Sequence, residues 1–475
     1  MAIAVQDVEH DTVQDGTVQD VLVQNIPVQN IVVQKYGGTS VGDLERIRKV
    51  AARVARTVEA GCKVAVTVSA MGRTTDALVS LAREIGPRPD RRELDMLMAT
   101  GEQQSVALLA LTLHTLGLKA RSFTGQQAGF LTDSRSGGAR VIEVDPAALL
   151  AAFRTVEVVV VAGFQGVDEH GMITTLGRGG SDTTAVAVAA ALGVHECEIY
   201  TDTDGVYTTD PHLVPTATKL DRLGYDEMLE LASLGARVLH PRSVWYARRY
   251  GVEIHVRSSF SFAPGTRIGT GQLRTGRKLG KSGELTARQE KHVEEEHAVK
   301  TDRPVTGVAL DRDHARIDLL GVPDAPGIAA QVFGALGAAG INADTIIQGV
   351  PGDKRGQQMA FTVSQDAVED ALEAVRPVLA AVGGEAHADP NIAKLSIVGV
   401  AVGSTPGLAG RMFAAVAEAG ANIEMITTSE VRISVVIEAS RAVEALRAVH
   451  KAFGLEAEAD PPETAGETIP SKPSG

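Results

Sequence analysis

The chain has 475 residues, 44% apolar and 22% charged, an ordinary globular balance that excludes a disordered or fibrous chain. At roughly 100 to 200 residues per domain, this length holds two to four folded units. The 46 Lys and Arg against 59 Asp and Glu leave a formal charge of −13, the wrong sign for coating nucleic acid or anionic lipid.

Small-molecule chemistry is therefore expected, with no nucleic-acid or membrane partner. Cys62 and Cys197 are too few for a disulfide framework or a closed zinc site, and free thiols fit a cytoplasmic protein. The longest apolar run, Ala185 to Val194, falls well short of the ~20 residues a membrane helix needs. No basic start followed by an apolar run opens the chain, so no secretory signal is expected.

Residues 1–30 repeat a Val-Gln unit, from Val5-Gln6 to Val28-Gln29, with a last copy at Val33-Gln34. Low complexity predicts a disordered extension there, although the alternation from Val21 to Val33 also permits an extra strand. From 31 to 268, short β-branched runs alternate with helical stretches. Strands are predicted at Ile31 to Gln34, Val64 to Ser69, Val156 to Ala162, Glu198 to Thr201 and Val252 to Val256. Between the first two, Leu44, Ile47, Val50, Val54 and Val58 recur at helical spacing behind Asp43, a good N-cap. Strand, helix, strand implies a mainly parallel sheet with helices on both faces and ligands at the carboxyl ends of the strands.

Residues 269–304 are polar and charged and read as a linker. Beyond it the chain repeats with a period of eighty: Pro326-Gly327 returns as Pro406-Gly407, Phe333 as Phe413, Gly340 as Gly420 and Asn342 as Asn422. Each copy reads as a βαββαβ module with an antiparallel sheet, at 305–385 and 386–459. Residues 460–475 are rich in Pro, Glu, Thr and Ser and should be a disordered tail.

The chemistry-bearing motifs lie in the first unit. Lys35-Tyr-Gly-Gly-Thr-Ser40 joins the first strand to the first helix. Its glycines let backbone N–H groups approach a phosphate, and its lysine adds charge, although a tight turn beside a surface lysine reads the same way. Leu176-Gly-Arg-Gly-Gly-Ser-Asp-Thr-Thr184 is a second glycine-rich stretch. There Arg178 suits a carboxylate, and Asp182 suits either orienting Lys35 or lying near a metal-bound phosphate; a turn with an N-cap is the plainer alternative. Thr201-Asp-Thr-Asp-Gly-Val-Tyr207 fits a nucleotide-contacting loop or a simple turn equally well. Glu102 opens an apolar helix, where a carboxylate serves as a cap, a dipole partner or a ligand. His240 is assigned no chemistry, and neither a Cys and His cluster nor a Gly-x-Ser-x-Gly elbow occurs.

Together, Lys35 to Val41, Val68 to Gly72 with Thr74-Thr-Asp76, Thr100 to Gln103, Leu176 to Thr184, Thr201 to Pro211 and Val238 to Arg242 strongly resemble the aspartokinase family. The resemblance implies an amino acid kinase fold followed by two ferredoxin-like ACT domains. It also implies transfer of the γ-phosphoryl group of ATP to the β-carboxylate of L-aspartate at the entry to lysine, threonine, methionine and isoleucine synthesis. Mg²⁺ would be carried by the nucleotide, with no separate protein metal site. Lys35 would then bridge phosphate and attacking carboxylate, Asp182 orient it, Arg178 grip the α-carboxylate, and Glu102 take the α-ammonium beside Thr75. Gly37, Gly38, Ser69 and Ser181 would line the phosphate path, while Thr201, Asp202, Tyr207 and Arg237 match nucleotide-contacting positions.

Lysine, threonine or both are the implied effectors, bound at Asn342, Asp344 and Gln348 and at Asn422, Ile423, Ser429 and Glu430. Pairing of the modules implies a homo-oligomer, a dimer or larger, with a shorter regulatory chain as a further possible partner. Two departures stand out. His212 replaces the family's usual arginine after Asp210-Pro211, and Arg237 replaces its usual lysine. A catalytically silent amino acid sensor of the same architecture is the alternative reading.

Overall fold

The computed structural model describes residues 30–236, 238–270, 304–323, 325–349 and 357–457. The Val-Gln extension, most of the polar linker and the carboxyl-terminal tail lie outside the described residues. In the first unit an eight-stranded sheet runs Arg222–Leu223, Thr266–Ile268, Glu253–Ser258, Glu196–Thr201, Ile31–Tyr36, Lys63–Val68, Val158–Ala162, Ala120–Phe123. All neighbours are parallel except Glu253–Ser258 with Thr266–Ile268. The five predicted strands are all present, within two residues at each end.

Because side chains alternate along a strand, each strand feeds two cores. Val64, Val66 and Val68 join Ile47, Val54, Leu109 and Leu113 on one side, beneath the helices Leu44–Glu59 and Arg91–Thr115. Asp43 does cap the first of these, its carboxylate accepting the Arg46 N–H at 2.8 Å. Val33, Ala65, Val159 and Val161 point the other way, into a core with the helices Gly180–Ala191, Tyr225–Ser233 and Pro241–Tyr250. Lys35 shares the odd-numbered face with Val33 and so is directed toward Gly180–Ala191. A smaller sheet, Val141–Val144, Phe130–Thr132, Gln165–Val167 and Ile173–Thr175, sits beside the main one and was not predicted.

The two repeats fold as expected in the main, with two corrections. The first sheet orders Asp344–Gln348, Gln357–Ser364, His314–Val322, Glu385–Asp389, with helices Ile328–Ala338 and Val368–Val382. In the second, Ile423–Thr428, Arg432–Glu438 and Ile392–Val398 are completed by Gly307–Asp311, antiparallel to Ile392–Val398. Residues 307–311, expected in the first module, belong to the second, and residues 386–389, expected in the second, complete the sheet of the first beside His314–Val322. After the helix Ala442–Ala452 the chain leaves for the catalytic unit, bridging Ala217 with Glu456, so the last strand position is open for an earlier segment. The second module is thereby anchored to the first unit. Val214 is buried in the module's core, and the His450 ring hydrogen-bonds the Thr208 hydroxyl at 2.9 Å.

Candidate active site

The carboxyl ends of three adjacent strands are laced together by backbone hydrogen bonds. Ser69 N–H donates to Tyr36 O at 3.2 Å, Gly72 N–H to Gly38 O at 3.0 Å, and Gly163 N–H to Val68 O at 3.0 Å. Two glycines are required by close approach. A Cβ on Gly38 would stand 2.9 Å from Ala70 O, and one on Gly163 would stand 2.7 Å from Ser181 Oγ. Gly163 thus lets the start of the helix Gly180–Ala191 reach the strand ends. There the backbone N–H groups of the first turn and the helix dipole favour an anion.

Into this corner Lys35 extends from the end of its strand. Its Nζ lies 2.5 Å from Asp182 Oδ1, and the two side chains are only 10% and 12% exposed. Asp182 belongs to the first turn of the helix Gly180–Ala191, which begins behind Gly179 in a left-handed conformation, φ 69°. A Cβ on Gly37 would sit 3.4 Å from the Lys35 ammonium, so that charge faces the first glycine loop.

Glu102 projects from the long helix Arg91–Thr115 and is 3% exposed. One carboxylate oxygen accepts the Ala70 N–H at 3.0 Å, and the other, Oε2, is buried with no partner. Burial pushes its carboxyl up to about 7, against the opposing backbone hydrogen bond. A buried, half-satisfied carboxylate is held in readiness for a donor, and a cationic one restores its charge. Gly101 allows the contact, since a Cβ there would meet Ala70 Cβ at 2.9 Å.

Lys35, Gly37, Gly38, Ser69, Ser181, Asp182 and Glu102 are therefore brought together at the carboxyl ends of these strands. Thr75 is half-buried in the first turn of the helix Thr74–Ile85, which abuts Gly101 through Thr74. Arg178 is exposed in the turn leading into Gly180–Ala191. Tyr200 O accepts the Gly37 N–H at 3.3 Å, which sets the Thr201 loop against the first glycine loop. Thr201 donates to Asp202 at 3.1 Å, and Tyr207 to Asp204 at 2.8 Å. Asp202 and Tyr207 lie farther out, toward the hairpin Val206–Tyr207 and Lys219–Leu220. Arg237 is outside the described residues.

Sequence reasoning passed over the Gly163-Phe164 turn, where Phe164 has φ 69° and its N–H donates to Thr184 Oγ1 at 3.1 Å. A glycine closing a valine run was the available signal. It also gave no part to His240, whose Cβ would overlap any side chain at Gly179, 2.0 Å away. Among the described residues the one carboxylate and histidine group with metal-like spacing is Glu196, Glu198 and His255. It occupies the sheet face opposite Lys35, and Arg267 and Arg257 already pair with its carboxylates.

In the regulatory modules the edge strands Asp344–Gln348 and Ile423–Thr428 approach each other, Ile347 packing on Met425, Ile392 and Val436. Asp344 pairs with the buried Lys394. Asn342, Gln348, Asn422 and Glu430 are exposed, Ile423 is half-buried, and Ser429 Oγ is buried without a partner.

A lysine–carboxylate pair beside glycine loops, with a buried carboxylate near by that keeps one oxygen unpartnered, suits phosphoryl transfer to a small polar substrate. Comparisons with known proteins agree. Residues 30–258 match the amino acid kinase family, and residues 317–379 and 395–453 each match the ACT domain. The chain is 59% identical over 424 residues to an aspartokinase of Thermus thermophilus, covering 89% of this chain and 98% of that one. It is 46% identical over 425 residues to an aspartokinase of Mycolicibacterium smegmatis, covering 89% and 96%. Among solved structures, E. coli aspartokinase III with lysine and aspartate aligns at a TM-score of 0.63 and 25% identity, covering 89% of this chain and 99% of that one. The same enzyme with aspartate and ADP aligns at 0.69 and 24%, covering 89% and 100%, which speaks to the fold. The chain belongs to the aspartokinase family: it is an aspartate kinase with two ACT domains and allosteric regulation.

Proposed function

We propose that the enzyme transfers the γ-phosphoryl group of MgATP to the β-carboxylate of L-aspartate, giving 4-phospho-L-aspartate, in the cleft around Lys35. The observation that carries this reading is the buried Lys35–Asp182 pair facing the glycine loop, with Glu102 Oε2 free nearby. A carboxylate of pKa ≈ 3.9 is already ionised at neutral pH, so the nucleophile needs no general base. It needs charge cancellation. Two anions approaching within ~3 Å repel by several kcal/mol at a local dielectric of ~20, and the Lys35 ammonium and the helix-start N–H groups offset this.

Asp182 keeps that ammonium aimed at the glycine loop, Arg178 takes the α-carboxylate, and Glu102 with Thr75 takes the α-ammonium. Ser69, Ser181, Gly37 and Gly38 line the phosphates, and Thr201, Asp202, Tyr207 and Arg237 contact the nucleotide. Mg²⁺ would come as a passenger of ATP, since Asp182, the carboxylate beside Lys35, is already paired with that lysine. When bound it neutralises phosphate charge.

The kinase unit extends over 31–268 and the first ACT domain over 314–389. The second combines 305–311 with 392–457. Lysine, threonine or both inhibit by binding at the ACT edge strands of an oligomer, slowing the first step toward lysine, threonine, methionine and isoleucine. The unpartnered Ser429 hydroxyl supports a ligand there, as does the lysine held by the E. coli relative. Aspartate-dependent ATP turnover with hydroxamate trapping, run with lysine and threonine singly and together, tests both halves. Stoichiometric hydroxamate and inhibition by at least one of the two are expected; ADP release independent of aspartate refutes the catalytic half, and indifference to both amino acids the regulatory one.

Two substitutions refine the reading. Ser429→Ala and Glu430→Ala should relieve inhibition while sparing kcat, and variants inhibited as strongly as the parent would exclude these positions from the effector site. His212, exposed beside Asp210, stands where a permanent charge would assist ATP. His212→Arg should lower the ATP KM, and an unchanged value would remove this residue from nucleotide binding.

A further inference from the structure

Asp95 is the most completely buried carboxylate beside the cleft, 0% exposed, and sequence reasoning gave it no part. It lies on the same helix as Glu102, Arg91–Thr115, seven residues earlier. Seven residues are two turns, so both carboxylates emerge from one helical face about 10 Å apart along the axis. Asp95 is fully occupied. The Gly137 N–H donates to its Oδ1 and Oδ2 at 3.1 and 2.9 Å, the Thr175 N–H to Oδ2 at 3.1 Å, and the Thr175 hydroxyl to Oδ1 at 2.6 Å.

These donors are not neighbours on the helix. They come from two separate segments, a loop at Gly137 and the strand Ile173–Thr175, whose last residue leads through Leu176 and Gly177 to Arg178. The segment is fixed again one residue on, where the Leu176 N–H donates to Phe164 O at 2.8 Å and Arg242 donates to Leu176 O at 2.7 Å. A second link ties the same helix to the other side of the cleft, since Gln165 donates to Ala99 O at 2.8 Å.

We propose that Asp95 is a positioning residue for amino acid recognition. It fixes the root of the Arg178 turn to the helix that carries Glu102, so one rigid element sets the separation of the groups that receive the two ends of the α-amino acid. This rests on the reading that Arg178 and Glu102 hold the substrate. A charged acceptor suits this position because three donors converge on it, and neutral Asn would present an N–H₂ group to one of them.

The test uses the full-length enzyme and separates aspartate from ATP. Asp95→Asn is expected to raise the aspartate KM about tenfold, through a misplaced Arg178, with the ATP KM within about twofold. Thr175→Val, which deletes one bond and keeps the shape, should shift the aspartate KM in the same direction, and Thr175→Ser should restore it. The threonine pair decides the matter if Asp95→Asn yields no folded enzyme. An aspartate KM unmoved in Thr175→Val, or an ATP KM rising in step with it, overturns the proposal. Arg178→Ala separates the two levels. If it leaves the aspartate KM unchanged, the underlying reading fails and the proposal with it; if it raises the KM while Asp95 and Thr175 variants do not, only the positioning role fails.

Discussion

Replacing Lys35 with methionine lowers kcat about 10³-fold, because the ammonium opposes the repulsion of two anions that are brought together only as the reaction proceeds. The aspartate KM should change far less, since in the proposed function Glu102 and Arg178 bind the other end of the substrate. The substitution also strips Asp182 of its partner in a nearly dry corner. Removing one member of a buried ion pair destabilises a protein by about 3 kcal/mol or more. Adding Asp182→Asn to Lys35→Met should therefore recover thermal stability without recovering turnover, which distinguishes loss of catalysis from loss of fold. A Lys35→Met enzyme with more than about a tenth of normal kcat would exclude the ammonium from the rate-determining charge balance.

The second large effect is at Glu102. With its carboxyl raised to about 7, only about a tenth of the free enzyme carries an ionised Glu102 at pH 6. The aspartate KM should rise about tenfold between pH 8 and pH 6, and Glu102→Gln should abolish that dependence while raising the KM throughout. Stability moves the opposite way. Folded Glu102 holds its proton more tightly than the unfolded side chain at 4.5, so stability falls as pH rises from 4.5 to about 7, and the loss is complete above that. The loss amounts to about 3 kcal/mol at most. Glu102→Gln should thus melt higher than the parent at pH 8 without ligand, yet bind aspartate more weakly. A variant that is both less stable and unchanged in aspartate KM would give Glu102 a purely structural part.

Much of this architecture was legible because the strands are runs such as Val158-Val159-Val160-Val161, buried on both faces. Such runs mark a parallel sheet, and the glycine motifs mark the strand ends where ligands bind. Lys35 and Asp182 could be named from those motifs. Their pairing was one of the readings open for Asp182, whereas the part of Gly163, distant from both in sequence and without a side chain to hold the helix away, left no such mark. The small second sheet escaped notice since its strands span three or four residues, too short for a period to declare itself. Gly307–Asp311 went to the wrong module for a related reason: a strand's pattern reports its burial and not its partner. Asp95 was invisible because two of its three donors are backbone N–H groups, which leave no mark in residue type, and the segments that bring them are distant in sequence.

The most direct measurement is a crystal structure with L-aspartate and a non-hydrolysable ATP analogue. The α-ammonium should lie about 3 Å from Glu102 Oε2, the α-carboxylate on Arg178, and the β-carboxylate between the Lys35 ammonium and the terminal phosphate. Aspartate bound with its side chain turned away from Lys35, or with Glu102 Oε2 still unpartnered, would contradict the account.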